Sequence, residues 1–323
     1  MMTPRVSVIM ACFNAAPHIG RAIKSVLAQT GVEVELIVVD DCSTDGTVEV
    51  VQRLVEADAR VTLIQQSRNT GPSAARNVGF RAATSDWLTI IDSDDAYLSD
   101  RLDLLVAAAK EGNYDLIFDH LTLYDGVARI CTGIAPSTSD AGRSKDTNLD
   151  LSQLILSERP GRVFRLGFLK PLIRRAFLEA NGLVYREDIR LAEDFMFYAE
   201  ALLRGARCNL INHPGYVYTT QVGQSSGVRS TASHTIYDPR VRLRIAARLI
   251  ADYADTASPT DRRLLNLYQR WQRRYVAIYH MSLFQRQRQL GSFLATALTN
   301  PRAATQFVLT SRTFRSLRTR MTG

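Results

Sequence analysis

The sequence predicts an α/β protein built on a mostly parallel sheet flanked by helices, with a helical C-terminal extension. Two observations in the first hundred residues predict the sheet. Strand-like and helix-like periods alternate four times, and the connections between them are short. A third observation predicts the extension: from Arg240 onward only helical patterns remain.

The elements follow in order. "RVSVIMA" (Arg5 to Ala11) and "VELIVVD" (Val34 to Asp40) are short runs rich in Val and Ile. Between them, "PHIGRAIKSVLAQTG" sets Ile19, Ala22, Ile23, Val26 and Leu27 on one helical face, with Pro17 suited to the first turn and Gly31 to the end. "TVEVVQRLVEA" repeats the helical pattern through Val48, Val51, Leu54 and Val55. "RVTLIQ" reads as a third strand, "SAARNVGFRAA" as a third helix and "DWLTIID" as a fourth strand. After Asp100 the pattern changes. "RLDLLVAAAKEG" is a helix, and "DLIFDHLTLY" and "VARICTG" pair as strands around Asp125 and Gly126. Pro136 to Leu149 is polar and reads as a flexible loop; "KPLIRRAFLEANG" and "AEDFMFYAEALLRG" read as helices, the second closed by Gly205. "ARCNLINHPGYVYTT" reads as one or two strands, and the helices of the extension are expected to break near Ala257 to Thr260 and at Pro301.

Composition narrows the function classes. With 323 residues the chain can bury a substantial core, as one large domain or two smaller ones. No basic, apolar, small-residue leader opens the sequence, and no apolar run reaches the roughly 18 residues that span a bilayer. Cys12, Cys42, Cys131 and Cys208 are scattered, and no two histidines stand close together. That speaks against a zinc site or a disulfide framework and fits a reducing cytoplasm. The net charge of +8 hides an asymmetry: Pro239 to Gly323 holds 16 Arg and 3 Asp (+13), while Met1 to Asp238 holds 24 basic and 29 acidic residues (−5). A basic tail on an acidic body suggests an anionic partner for the tail.

Parallel strands end on one side of their sheet, and ligands bind beyond their carboxyl ends. Asn14 follows the first strand, Asp40 and Asp41 the second, and Asp92, Asp94 and Asp95 the fourth. Like charges repel and resist burial, so such a cluster calls for something positive. Carboxylates facing one crevice suit a divalent cation and sugar hydroxyls. The alternative is that they are helix caps and turn residues, which Asp and Asn often are.

"VSVIMACFNAAPHIGRAIKSVLAQT", "ELIVVDDCSTDGT", "NTGPSAARNVG", "IIDSDDAYL" and "AEDFMFYAEALLRG" occur in this order and spacing. Together they resemble the family-2 inverting glycosyltransferases, over roughly residues 4 to 228. Within that family the chain is most similar to bacterial transferases that assemble exopolysaccharides such as succinoglycan. The resemblance implies a glycosyltransferase A-type fold that takes a nucleotide sugar, a UDP-hexose by the narrower similarity. It divides the chain into a nucleotide-sugar-binding half (1–100), an acceptor-binding and catalytic half of the same domain (101–238) and a basic helical region (239–323).

Roles follow residue by residue from the resemblance. Ala11, Phe13 and Asn14 lie where the nucleotide binds, with Phe13 able to stack on uracil; an ordinary core aromatic is its alternative. Asp41 matches the acid that accepts a hydrogen bond from the uracil ring, and Asp40 is structural. Asn69, Arg76 and Asn77 face the nucleotide, with Arg76 against the diphosphate or, alternatively, in solvent. Asp92, Asp94 and Asp95 hold ribose and a Mg²⁺ or Mn²⁺, with Asp94 the principal ligand and Asp92 or Asp95 assisting. In Glu193-Asp194, Asp194 is the expected general base and Glu193 orients it or meets the acceptor. Acids are also favoured in a first helical turn by the dipole, and both readings can hold. One departure stands out. Relatives carry Tyr-x-Arg and then a loop Ser that closes over the diphosphate; here Thr219 and Thr220 stand near the Arg position, with Ser225, Ser226 and Arg229 as substitutes. His213 is a turn residue or an extra metal ligand.

In the tail, "RRLLNLYQRWQRRYVAIYHMSLF" aligns Leu264, Tyr268, Trp271, Tyr275, Ile278 and Leu283, and "FVLTSRTFRSLRTRM" aligns Phe307, Phe314, Leu317 and Met321 opposite Arg312, Arg315 and Arg320. Basic amphipathic helices suit the surface of an anionic membrane, and packing as plain structure is the alternative. The expected place is the cytoplasm, peripheral to the inner membrane face. The acceptor is expected to be a glycan or a lipid-linked oligosaccharide in polysaccharide biosynthesis, and no nucleic acid is expected. Two other functions stay open: a non-catalytic nucleotide-sugar-binding protein, and a sugar nucleotidyltransferase, which would need a Gly- and Lys-rich loop that "ACFNAAPHIGR" lacks.

Overall fold

The computed structural model describes residues 3–135, 147–159, 164–220 and 239–308. Alternation in the first hundred residues produces β1 (Arg5–Cys12), α1 (Ile19–Leu27), β2 (Glu33–Asp40), α2 (Thr47–Ala57), β3 (Val61–Gln65), α3 (Pro72–Ala82) and β4 (Trp87–Ile90). The strands β1 and β2 bury nearly every side chain, as strands covered on both faces must. The apolar stripe of α1 is buried at Ile19, Ala22, Ile23 and Val26. Each Ile or Val among them contributes roughly 1.5–3 kcal/mol on leaving water. Helix α3 lies hard against β1, because Gly79 has no Cβ; one placed there would stand 2.4 Å from Ile9 Cγ2.

The chain continues through β5 (Ala96–Tyr97), α4 (Arg101–Glu111), β6 (Leu116–Asp125), β7 (Ile130–Ala135), β8 (Thr147–Leu149), α5 (Leu151–Ser157), a 3₁₀ turn (Leu166–Phe168), β9 (Leu172–Arg174), α6 (Arg175–Ala180), α7 (Glu193–Leu203) and β10 (Cys208–Thr220). The ten strands among the described residues form one sheet, in the order β3-β2-β1-β4-β9-β6-β10-β5, with β7 on β6 and β8 on β10. The pairs β3-β2, β2-β1 and β1-β4 are parallel, and so is β6-β10; β9 runs antiparallel to both its neighbours.

Two expectations change and one is narrowed. "KPLIRRAFLEANG" is not one helix: Leu172 and Ile173, both fully buried, fill the slot between β4 and β6 as a strand, and helix begins only at Arg175. A vacant position in a sheet leaves backbone groups unpaired on both flanks, and that overrides helical periodicity. "ARCNLINHPGYVYTT" is a single strand whose register shifts between Ile211 and Tyr216, where Pro214 has no N–H to give. Residues 147–149, read as loop, form β8; positions 136–146 lie outside the described residues.

Contacts divide the chain into two compact units between β10 and the helices that follow. The second unit holds α8 (Arg240–Asp252), α9 (Pro259–Arg286) and α10 (Leu290–Thr299). Ser258 caps α9 by accepting from the Asp261 N–H at 3.1 Å, with Pro259 at the first helical position. The buried face of α9 is Leu265, Tyr268, Gln272, Ala277 and Met281, so it is rotated from the expected stripe and Trp271 stays half-buried. A break not foreseen falls at 287–289, where Arg288 takes a positive φ of 58°. Among the described residues no helix is long and apolar enough to cross a membrane.

Candidate active site

The ends of β1, β2 and β4 lie together because the three strands are parallel and in register, Cys12 beside Asp40 and Ile9 beside Ile90. At this edge Phe13 is 36% exposed, unusual for an aromatic that should bury itself, and Asn69 is exposed on its loop. Ala11 is half-buried at the end of β1. Asn14 adopts φ 50°, and its Oδ1 accepts from the Thr44 N–H at 2.8 Å, while its own N–H donates to Ser43 Oγ at 2.9 Å. It therefore ties the loop after β1 to the loop after β2.

The acids of β2 face inward. Asp40 accepts from the Ser43 N–H. Asp41 Oδ1 accepts from the Gln66 amide and the Thr70 N–H, both at 2.8 Å, and Oδ2 from the Gly71 N–H at 2.8 Å. Gly71, at φ 92°, then starts α3. This changes the expectation for Asp41: three backbone and amide donors hold it, and only Oδ2 keeps room for a further one. Asn77 likewise bonds the backbone of Tyr185 and the Glu187 carboxylate rather than the open edge.

The loop after β4 and the start of α7 are joined by two cations. Arg76 donates to Asp92 Oδ1 (2.9 Å), Asp194 Oδ1 (3.1 Å) and Glu193 Oε1 (3.0 Å). Lys170 Nζ lies 3.1 Å from Asp92 Oδ2 and 2.6 Å from Asp194 Oδ2. Two acids and two bases thus form a closed ring of alternating charge. Arg76 and Lys170 are about 95% buried, so each would be costly to keep without such partners. Arg76 therefore faces carboxylates, which corrects its expected place against a phosphate.

Burial opposes charge on Asp92, but the Lys170 ammonium and the Arg76 guanidinium more than offset it and bring its carboxyl down to about 2. Asp94 differs. No side chain among the described residues donates to its carboxylate, and burial followed by the charge of Asp92 pushes it up to about 7. Glu193 is also raised, by burial and by Asp194, against the pull of Arg76. Asp95 is 1% exposed, and its two oxygens accept from Tyr216 Oη and the Thr219 N–H, both at 2.7 Å. Its carboxylate faces the protein, which corrects its expected place as a metal ligand. His213 stands at the irregular stretch of β10, with Nε2 3.4 Å from Asp100.

Among the described residues no group of three or more acids, histidines or cysteines surrounds a metal position. A single unpartnered carboxylate nevertheless fits a hard dication that takes the rest of its shell from water and phosphate oxygens. Asp94 is that carboxylate.

Several site residues carried no sequence signal. Lys170 sits in a segment read as helix. Tyr185 donates through its hydroxyl to Asp194 Oδ1 at 2.8 Å and stacks on Phe197 at 4.4 Å. Tyr216 donates to Asp95 and accepts from the Asp92 N–H at 3.1 Å. Arg21 of α1 reaches the Asp94 carbonyl and Thr219. A lone Lys or Tyr in an aliphatic stretch looks like an ordinary half-buried residue, and only the fold brings these beside the acids. Ala192, before α7, takes the left-handed conformation at φ 60°, unusual for a residue with a Cβ. Ser225, Ser226 and Arg229 lie outside the described residues.

Comparison with known proteins gives the family and the fold. The profile of the family described as Glycosyl transferase family 2 matches residues 7–157. Succinoglycan biosynthesis protein ExoU of Rhizobium meliloti (strain 1021) is 31% identical over 302 residues, covering 92% of this chain and 84% of its own. ExoO of the same strain is 37% identical over 226 residues, 70% of this chain, and the match spans 63% of ExoO, under two thirds of its length. Among solved structures, Staphylococcus aureus TarS 1–349 in complex with UDP-GlcNAc superposes with a TM-score of 0.66 at 20% identity, covering 93% of this chain and 81% of that one. The mannosyltransferase PcManGT from Pyrobaculum calidifontis, in complex with GDP-Man and Mn²⁺, gives 0.61 at 20% identity over 98% and 81%. At that identity the likeness is one of fold, and the fold is the glycosyltransferase A type. Sequence and fold together place the chain in glycosyl transferase family 2, as a glycosyltransferase.

Proposed function

We propose that this enzyme moves a hexosyl group, with inversion, from a UDP-hexose to a hydroxyl of a glycan or lipid-linked oligosaccharide in bacterial polysaccharide biosynthesis. The observation that carries the reading is the shared pair of cations. Arg76 and Lys170 hold Asp92 and Asp194, about 100 residues apart in sequence, at one place. Relatives named for succinoglycan biosynthesis support the pathway class, and a Campylobacter jejuni relative named as a glucosyltransferase acting on a PP-undecaprenol glycan supports the acceptor class.

In this reading Phe13 stacks on the base, with Ala11, Asn14, Asp41 and Asn69 around the nucleoside. Asp92 meets the ribose with the 31% of its side chain left exposed. Asp94 would hold Mg²⁺ or Mn²⁺, which supplies positive charge to the leaving diphosphate. Asp194 Oδ1 already accepts from Tyr185 and Arg76, so its Oδ2, met by Lys170 alone, receives the acceptor's proton. The acceptor oxygen forms a bond to the anomeric carbon from the face opposite the diphosphate, and the C–O bond electrons leave with the diphosphate. A second assignment has its own support: among the described residues Glu193 has one side-chain partner, and burial and Asp194 raise its pKa, which suits a general base. At saturating donor, comparing Asp194→Asn with Glu193→Gln separates the two, since the true base shows the larger fall in kcat.

Thermal-shift measurements across UDP-, GDP- and TDP-sugars, with and without Mn²⁺, test the donor assignment. The expected result is a rise in apparent stability with UDP-hexoses, larger with Mn²⁺. No shift and no sugar release with any of them would end it.

Contact with an anionic membrane belongs to this reading. Helix α10 exposes Leu290 (70%), Leu294 (49%) and Leu298 (81%) at four-residue spacing, so they share a face. Arg286, Arg288 and Arg302 flank them. Leucines bracketed by arginines suit an interfacial helix. Sedimentation with phosphatidylglycerol vesicles, lost on replacing the three leucines with serine, checks it.

A further inference from the structure

Arg21 differs from the other site cations. Arg76, Arg101 and Lys170 are buried and each faces a carboxylate. Arg21 is exposed on α1 and forms no ion pair among the described residues. Its Nη2 donates to two neutral acceptors, the Asp94 carbonyl at 2.5 Å and Thr219 Oγ1 at 2.6 Å, and its guanidinium lies 5.5 Å from the Tyr124 ring centre. Those bonds fix its position, and among the described residues no carboxylate meets it at ion-pair distance; only that of Asp94 acts on its charge, from farther away. The N–H groups on Nε and Nη1 remain to donate. It is anchored to the backbone of the residue whose side chain is the unpartnered carboxylate.

We infer that Arg21 binds the diphosphate of the nucleotide, acting chiefly on the leaving group; this rests on the donor-binding reading above. The charge count explains the preference. The pyrophosphate ester of a nucleotide sugar carries about two negative charges, which one dication balances; the departing nucleoside diphosphate carries about one more. An extra cation fixed beside the cluster therefore favours the bond-breaking state over the bound donor. Interactions stronger in the transition state raise kcat, while uniform ones change only KM. Because Arg21 is exposed, solvent weakens its effect, so removal should cost roughly tenfold to a hundredfold in kcat, at or below the usual loss for one oxyanion donor.

The test uses the full chain with Mn²⁺. Calorimetric titrations with uridine, UDP and the UDP-hexose are compared for the wild type, Arg21→Gln and Arg21→Lys, alongside kcat and KM. The expected result for Arg21→Gln is UDP binding weakened about tenfold, uridine binding unchanged and the loss concentrated in kcat, with Arg21→Lys recovering part of it. If Arg21→Gln binds UDP as tightly as the wild type, the inference is overturned while the donor reading stands. Equal losses for uridine and UDP also overturn it, since they mark Arg21 as a structural clamp between α1 and the loop after β4. If the wild type binds none of UDP, GDP or TDP, the donor reading fails and the inference with it.

Discussion

Two buried ionic clusters in the first unit use the same chemistry to different ends. In one, Arg101 donates from Nε and Nη2 to both oxygens of Asp119 at 2.8 Å; neither side chain is exposed, and the Tyr97 and Tyr216 rings lie 4.3 and 5.2 Å from the guanidinium. In the other, Arg76 and Lys170 bridge Asp92 and Asp194, Glu193 takes one further bond from Arg76, and Asp94 stands beside the ring with no side-chain donor among the described residues. The first cluster is sealed. It also positions the second, since Arg101 Nη2 donates to the Lys170 carbonyl at 2.5 Å. The difference teaches what a buried charge is for: a two-bonded pair closed to solvent fixes structure, and a ring flanked by an acid that no side chain among the described residues meets prepares a site.

Breaking the sealed pair should have the largest effect on folding. Asp119→Ala leaves Arg101 buried without its counter-ion and is expected to cost about 3–5 kcal/mol by urea unfolding, while the double change Arg101→Met with Asp119→Leu should cost less. Breaking the ring at the site should fall on turnover instead. Asp194→Asn is expected to lower sugar transfer by a factor on the order of 10²–10⁴ with UDP affinity retained. Asp94→Asn sharpens the contrast further: the Mn²⁺-dependent part of the UDP thermal shift should vanish while the unliganded protein melts no lower, because a carboxylate disfavoured by burial has been removed. Phe13→Ala, which removes a member of neither cluster, should weaken UDP binding by about 1–3 kcal/mol in calorimetry. The smallest effect is expected at Ala192→Gly, which relieves the left-handed residue before α7 and should raise stability by at most about 1 kcal/mol.

How much was legible depended on whether a feature is local. Periodicity in β1 to β4 is a property of neighbouring residues, so the parallel half could be read directly. Strand ends in a parallel sheet share one side, so the gathering of Asp40, Asp41, Asp92, Asp94 and Asn14 followed from topology alone. Which oxygen meets which donor did not follow. Asp95 differs from Asp94 by one position, yet one carboxylate faces Tyr216 and the other has no side-chain donor among the described residues. Arg76 was legible as a site residue but not its partners, two of which come from α7, over a hundred residues later.

The order of strands and helices in the first hundred residues, the family to which the chain belongs and the basic character of its last helices were fixed by residue pattern, because period and charge are written along the chain. The insertion of β9 between β4 and β6, the recruitment of Lys170 and Tyr185 to Asp194, and the placing of Arg21 over the loop after β4 were decided only by the tertiary structure. Each depends on segments distant in sequence meeting in space, where burial makes every unpaired charge or backbone group costly and so selects the one arrangement that pairs them.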